Sequence, residues 1–81
     1  MIKSTSYQTY QRIVTLLTKA REKRGLTIRQ LAILLDTDNT TISKIEVLRR
    51  QLSLGDFIQY CEALDEDPAK ILRQAMSRQK R

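Results

Sequence analysis

The stretch Leu31–Glu46, LAILLDTDNTTISKIE, constrains this chain more than any other. Apolar residues recur on both sides of it at the 3- and 4-residue steps of an α-helix. Between the two runs sits DTDN, the kind of short polar cluster that ends one helix and caps the next. Two short helices joined across a break of about three or four residues form a helix-turn-helix. The second of them presents Ile42 and Ile45 inward. Its remaining residues, Asn39, Thr40, Thr41, Ser43 and Lys44, are short hydrogen-bonding or charged side chains that no apolar core needs.

The flanking sequence repeats the same start and stop signals, and five helices are predicted. The first starts after Ser6 as N-cap and runs to about Arg24, with Tyr10, Ile13, Val14, Leu17 and Ala20 on one face; Gly25 ends it. The second starts at Thr27, whose TIRQ is a capping box, and stops near Asp36, burying Leu31, Ala32, Leu34 and Leu35. The third starts at the N-cap Asp38 and runs to about Leu48. A basic loop with Arg49 and Arg50 follows. Ser53, in SLGD, caps the fourth helix, whose inner side is Leu54, Phe57, Ile58, Cys61 and Leu64. The fifth opens at DPAK, with Asp67 as N-cap and Pro68 at the first helical position, where its missing N–H costs nothing. Its apolar side is Ile71, Leu72, Ala75 and Met76. No internal repeat or low-complexity segment interrupts the pattern.

Composition narrows the function classes. Two glycines and one proline in 81 residues are too few for the turns of an all-β domain. The length predicts one domain, 1–81, with the helix-turn-helix proper at about 27–48 and a basic tail at 77–81 that reads as a solvated, frayed end. The single cysteine, Cys61, is predicted in the core and allows no internal disulfide. With no histidine, no nucleophile–base arrangement and no glycine-rich loop, the reading is of a non-enzyme with no metal and no cofactor. No apolar run is long enough to span a membrane, and MIKSTSYQTYQ lacks the apolar centre of a secretory signal, so a cytoplasmic protein is expected. The net charge of +6 points to a polyanionic partner.

From about Leu16 to Leu72 the chain resembles the Cro/repressor-type (XRE-like) helix-turn-helix proteins. The matching residues are REKRGLTIRQLA, TTISKIE and LSLGDFIQYCEALDEDPAKIL. The resemblance implies an all-α, five-helix bundle of the lambda-repressor-like type, with helix three in the major groove of double-stranded DNA. The groove admits one helix and offers donors and acceptors on its base edges. Carried over by position, Asn39, Thr40, Ser43 and Lys44 are the base-facing set. Thr27, Arg29, Thr41, Arg49, Arg50 and Gln51 are placed to meet phosphates, together with the amides at the starts of helices two and three. The resemblance also implies a partly buried ion pair, Arg21–Glu46, fixing helix three to helix one.

The chain departs from the family pattern at three places. Ile28 stands where glutamine is frequent, which removes one polar contact. Asp36 stands where the turn often has glycine. Val47 and Leu48 replace a glycine after Glu46, so helix three is expected to run longer. One recognition helix reads too few base pairs to select a genomic site, so a homodimer over a palindrome is expected, with Leu72, Ala75 and Met76 of helix five as the candidate interface, joined by Tyr60 and Leu64. The function read from all of this is a sequence-specific transcriptional regulator, a repressor. The alternative is an antitoxin-like or adaptor protein whose main partner is another protein. The plainer reading of the polar residues is a solvated helix face, and of helix five, completion of the monomer core.

Overall fold

In the computed structural model, which describes residues 4–77, five α-helices follow one another: α1 (Ser4–Lys23), α2 (Ile28–Leu34), α3 (Asn39–Glu46), α4 (Leu54–Ala63) and α5 (Pro68–Met76). No strand occurs among the described residues. No described helix is long and apolar enough to cross a membrane.

Four N-termini are set by the residues the sequence nominates. The Thr27 hydroxyl accepts from the Gln30 amide at 3.0 Å, and the Thr27 amide donates to Gln30 Oε1 at 2.9 Å, closing a full capping box. Ser53 and Asp56 close a second box at α4. Asp38 caps α3, and Asp67 caps α5 with Pro68 just inside. Ser6, by contrast, is not a cap: α1 already includes Ser4, so Ser6 lies within its first turns. A cap-type residue directs a helix start only where the chain upstream leaves the helix, and here it does not.

The C-termini share one device. After each of α1 to α4 comes a residue with positive φ: Gly25 at 70°, Asp36 at 55°, Leu48 at 66° and Asp65 at 55°. Around each, two amides turn back onto the last helical turn. After α3, Leu48 N–H donates to Ile45 O at 3.0 Å and Arg49 N–H to Lys44 O at 2.7 Å. After α2, Asp36 N–H donates to Ile33 O at 3.1 Å and Thr37 N–H to Ala32 O at 2.9 Å. This is the Schellman closure, which normally uses glycine because a Cβ makes left-handed backbone costly. Leucine at position 48 nevertheless takes that conformation. Helix α3 therefore stops at Glu46 and does not extend to Leu48, since closing the orphan carbonyls outweighs a strain of about 1–2 kcal/mol.

The core is made of Leu17 and Ala20 from α1, Leu31 and Ala32 from α2, Ile42 and Ile45 from α3, Phe57, Tyr60 and Cys61 from α4, Leu64 at its C-cap, and Ile71 from α5. Ala32 is small where α2 and α3 approach. Helix α1 packs against both α3 and α5. Arg12 ties it to the end of α5, its Nε donating to the Ala75 carbonyl at 2.8 Å, a cation on a helix C-terminus. Several apolar residues assigned inward are exposed: Leu34 on α2, and Leu54 and Ile58 on α4. Helix α2 is only seven residues long, so its buried stripe shrinks to Leu31 and Ala32. On α4, Tyr60 fills the space and turns the Leu54–Ile58 stripe outward.

Candidate nucleic-acid interface

Helix α3 is eight residues long and is held from behind. Ile42 and Ile45 are 1% and 3% exposed, while Asn39, Thr40 and Lys44 lie on the surface and Ser43 is half-buried. The helix thus presents a polar flank about two turns long, with its apolar anchors on the opposite side.

Asp38 fixes the start of that flank. Its Oδ1 accepts from the Thr41 amide at 2.8 Å, and hydrogen bonds from the Thr41 side chain and amide hold its carboxyl below the usual range. Thr41 is therefore engaged within its own turn. Thr27 is likewise engaged with Gln30, whereas Arg29 next to it is exposed.

At the far end, Arg21 reaches across from α1. Its Nε donates to Glu46 Oε2 at 2.7 Å, its Nη2 to Glu46 Oε1 at 3.1 Å, and its Nη1 to the Leu26 carbonyl at 2.7 Å. Both side chains are only 11% exposed. The two-pronged geometry fixes orientation as well as distance. The bond to Glu46 also holds the Arg21 pKa above its ordinary value.

Beyond Glu46 the Schellman closure turns the chain so that Arg49, Arg50 and Gln51 all emerge on the surface. The other end of this loop is fastened by the Leu52 amide, which donates to the Tyr10 hydroxyl at 2.9 Å. Tyr10, on the apolar face of the first helix, thus does more than pack. Its hydroxyl partner lies 42 residues away, and no local pattern announces it.

The structure thus gathers Thr27, Arg29, Asn39, Thr40, Thr41, Ser43, Lys44, Arg49, Arg50 and Gln51 onto α2, α3 and the loop that follows. It divides the expected dimer residues. Ala75 and Leu64 are fully buried and Tyr60 nearly so, because they complete the monomer core; they are not available to a partner. Leu72 and Met76 stay exposed. Leu72 also shares an apolar groove with Leu54, Phe57, Leu52, Ile13 and Tyr10. Of the basic tail, residues 78–81 lie outside the described residues.

None of the curated proteins matches this sequence. A family model described as helix-turn-helix matches residues 17–71, from the middle of α1 into α5 and across the whole polar flank. The fold, the turn and this match agree: the chain belongs to the XRE-type helix-turn-helix family of DNA-binding regulators.

Proposed function

We propose that this protein is a transcriptional repressor that binds a palindromic operator as a homodimer, residues 1–81 acting as one binding unit. Helix α3 lies in the major groove. Asn39 pairs with an adenine edge, Lys44 reaches guanine acceptors, and Thr40 and Ser43 meet neighbouring bases or a thymine methyl. Arg29, Arg49, Arg50 and Gln51 grip the flanking phosphates, with Thr27 and Thr41 contributing least because their hydrogen-bonding groups already serve the caps.

The observation that carries this reading is the asymmetry of α3: two isoleucines sealed in the core and an uncovered polar flank behind which three separate devices (the Asp38 cap, the Arg21 clamp and the Leu48 turn) hold the helix still. Rigidity of that kind serves recognition, since a loosely held helix cannot discriminate base edges. The partner copy is placed on the exposed stripe of Leu54, Ile58, Leu72 and Met76. Leu54 and Met76 are 72% and 66% exposed, and Leu54 lines one apolar groove with Leu72, which offers a partner a contiguous apolar patch.

Selection from a random duplex library at fixed salt tests the whole reading. The expected outcome is a palindromic consensus with half-sites about 34 Å apart, and affinity that falls steeply as salt rises. Recovery of no consensus would remove the base-reading assignment. A Leu72→Glu, Met76→Glu double variant should stay monomeric in sedimentation and lose operator binding.

A further inference from the structure

Helix α1 fastens both ends of one short stretch of chain. Arg21 clamps Glu46, the last residue of α3, and the Tyr10 hydroxyl accepts from the Leu52 amide at 2.9 Å. Between these two points lie Arg49, Arg50 and Gln51. Tyr10 and Arg21 are eleven residues apart on α1, about three turns, so they share one face of a single helix. The Lys44 carbonyl accepts from the Arg49 and Arg50 amides at 2.7 and 3.2 Å, which ties the start of the loop to α3. The Leu52 amide is the tie at its other end. A loop that carries two cations toward a polyanion loses conformational freedom on binding unless it is ordered beforehand. A hydrogen bond spanning 42 residues supplies part of that order in the free protein.

We propose that Tyr10 is a positioning residue for DNA affinity: its hydroxyl holds Leu52 and thereby presets the Arg49–Gln51 loop for the phosphate backbone. The assignment rests on the DNA-binding reading above. It adds a residue on α1 that precedes residues 17–71, the part of the chain the family model matches. Tyr10 acts through the loop alone, as a support behind the contacting groups. The loop meets phosphates and not base edges, so loosening it weakens all duplexes by one factor. That separates Tyr10 from Lys44, whose loss changes base preference.

Tyr10→Phe removes the hydroxyl and keeps the ring. Affinities are compared where sedimentation shows both proteins in the same oligomeric state, because Tyr10 also lines the groove with Leu54 and Leu72. The variant should bind operator and random duplex each about threefold to tenfold more weakly, with their ratio unchanged. In an Arg49→Ala, Arg50→Ala background the same substitution should have no effect, since no cation remains on the loop to be placed. A hydroxyl that serves stability alone would lower the melting temperature and leave the affinity of the folded protein unchanged, and that result overturns the proposal. So does a full effect in the double-alanine background, or a changed ratio. Amide exchange reads the bond itself: Leu52 should be protected in the wild type and exchange faster in Tyr10→Phe, while Ile42 and Ile45 stay protected. An unprotected Leu52 amide in the wild type overturns the proposal. A wild-type protein that binds no duplex sinks the functional reading as well, whereas a binding wild type matched by Tyr10→Phe sinks this assignment alone.

Discussion

Where the sequence shows no internal repeat, the structure builds the same helix–turn–helix construction twice, and the two copies differ in charge and in docking. In the first, Leu35-Asp36-Thr37-Asp38 links α2 to α3; in the second, Leu64-Asp65-Glu66-Asp67 links α4 to α5. Both middle aspartates sit at φ 55°, both turns close with paired amides, both following aspartates cap a helix, and Ile42 and Ile71 occupy the same register beyond them. The surfaces differ. From Ser53 to Ser77 five acids (Asp56, Glu62, Asp65, Glu66 and Asp67) face two bases, Lys70 and Arg73. From Thr27 to Gln51 the bases Arg29, Lys44, Arg49 and Arg50 face Asp36, Asp38 and a Glu46 already matched by Arg21. The second unit is the more acidic, and its last helix docks on α1 and carries Arg12 on its end. Turn chemistry thus makes the motif, while charge and docking set the two copies apart and favour the first for the duplex proposed above.

Each unit also gives one glutamate to an arginine at the end of α1 or just past it, which supplies the sharpest way to break the comparison. Glu46→Ala leaves the nearly buried Arg21 guanidinium with only the Leu26 carbonyl and the distant, exposed Glu22 carboxylate at 3.9 Å, and should cost about 3 kcal/mol in urea denaturation. Glu66→Ala removes the 2.9 Å pair with Arg24, which water already reaches, and should cost well under about 1 kcal/mol. Equal costs would mean that burial does not separate the two units. Next in size, Lys44→Ala should lose about 1–3 kcal/mol of base discrimination. Arg50→Ala should weaken all duplexes alike and reduce the salt slope by about one. Lys70→Ala, in the second unit, should change neither. Loss of binding on Lys70→Ala would move the interface.

The shared turn gives a smaller and symmetrical prediction. Glycine suits left-handed backbone better than aspartate, so Asp36→Gly and Asp65→Gly should each raise stability by about 0.5 kcal/mol. A gain at one site with a loss at the other would show that the two turns are not equivalent. Acidification separates the caps. The folded-state pKa of Asp38 is lowered by its bonds from Thr41, so its contribution is present above the ordinary aspartate pKa and is lost as pH falls through the folded value. Thermal unfolding followed from pH 6 down to about pH 3 should show a loss that Asp38→Asn reduces.

The sequence exposed most of this architecture because caps are local. Thr27, Asp38, Ser53 and Asp67 each lead a helix in the structure, and a cap needs only its own side chain and an amide two or three residues on. The five helices and the all-α class followed from those signals and the apolar spacing. Reading failed where a long-range partner or an exact face was needed. Leu34, Leu54 and Ile58 fit a helical stripe, yet only packing decides how wide a stripe the neighbours cover. Leu48 looked like a continuation of α3 because propensity disfavours leucine in left-handed backbone, and only the closure of the Lys44 and Ile45 carbonyls shows why it goes there. Tyr10 reads as a packing aromatic and Tyr60 as part of a dimer surface; the Tyr10 hydroxyl instead fastens Leu52, and Tyr60 is buried in the monomer core.

By itself, then, the sequence determined where helices begin, which turns break them and that α3 carries a polar side without apolar purpose, since each of these rests on interactions within a few residues. The tertiary structure decided how the two units differ in docking, which half of the α5 stripe stays exposed, and how the Arg49–Gln51 loop is fastened. Those outcomes depend on contacts between segments tens of residues apart, where the entropy of ordering the chain is offset only once the whole core has closed.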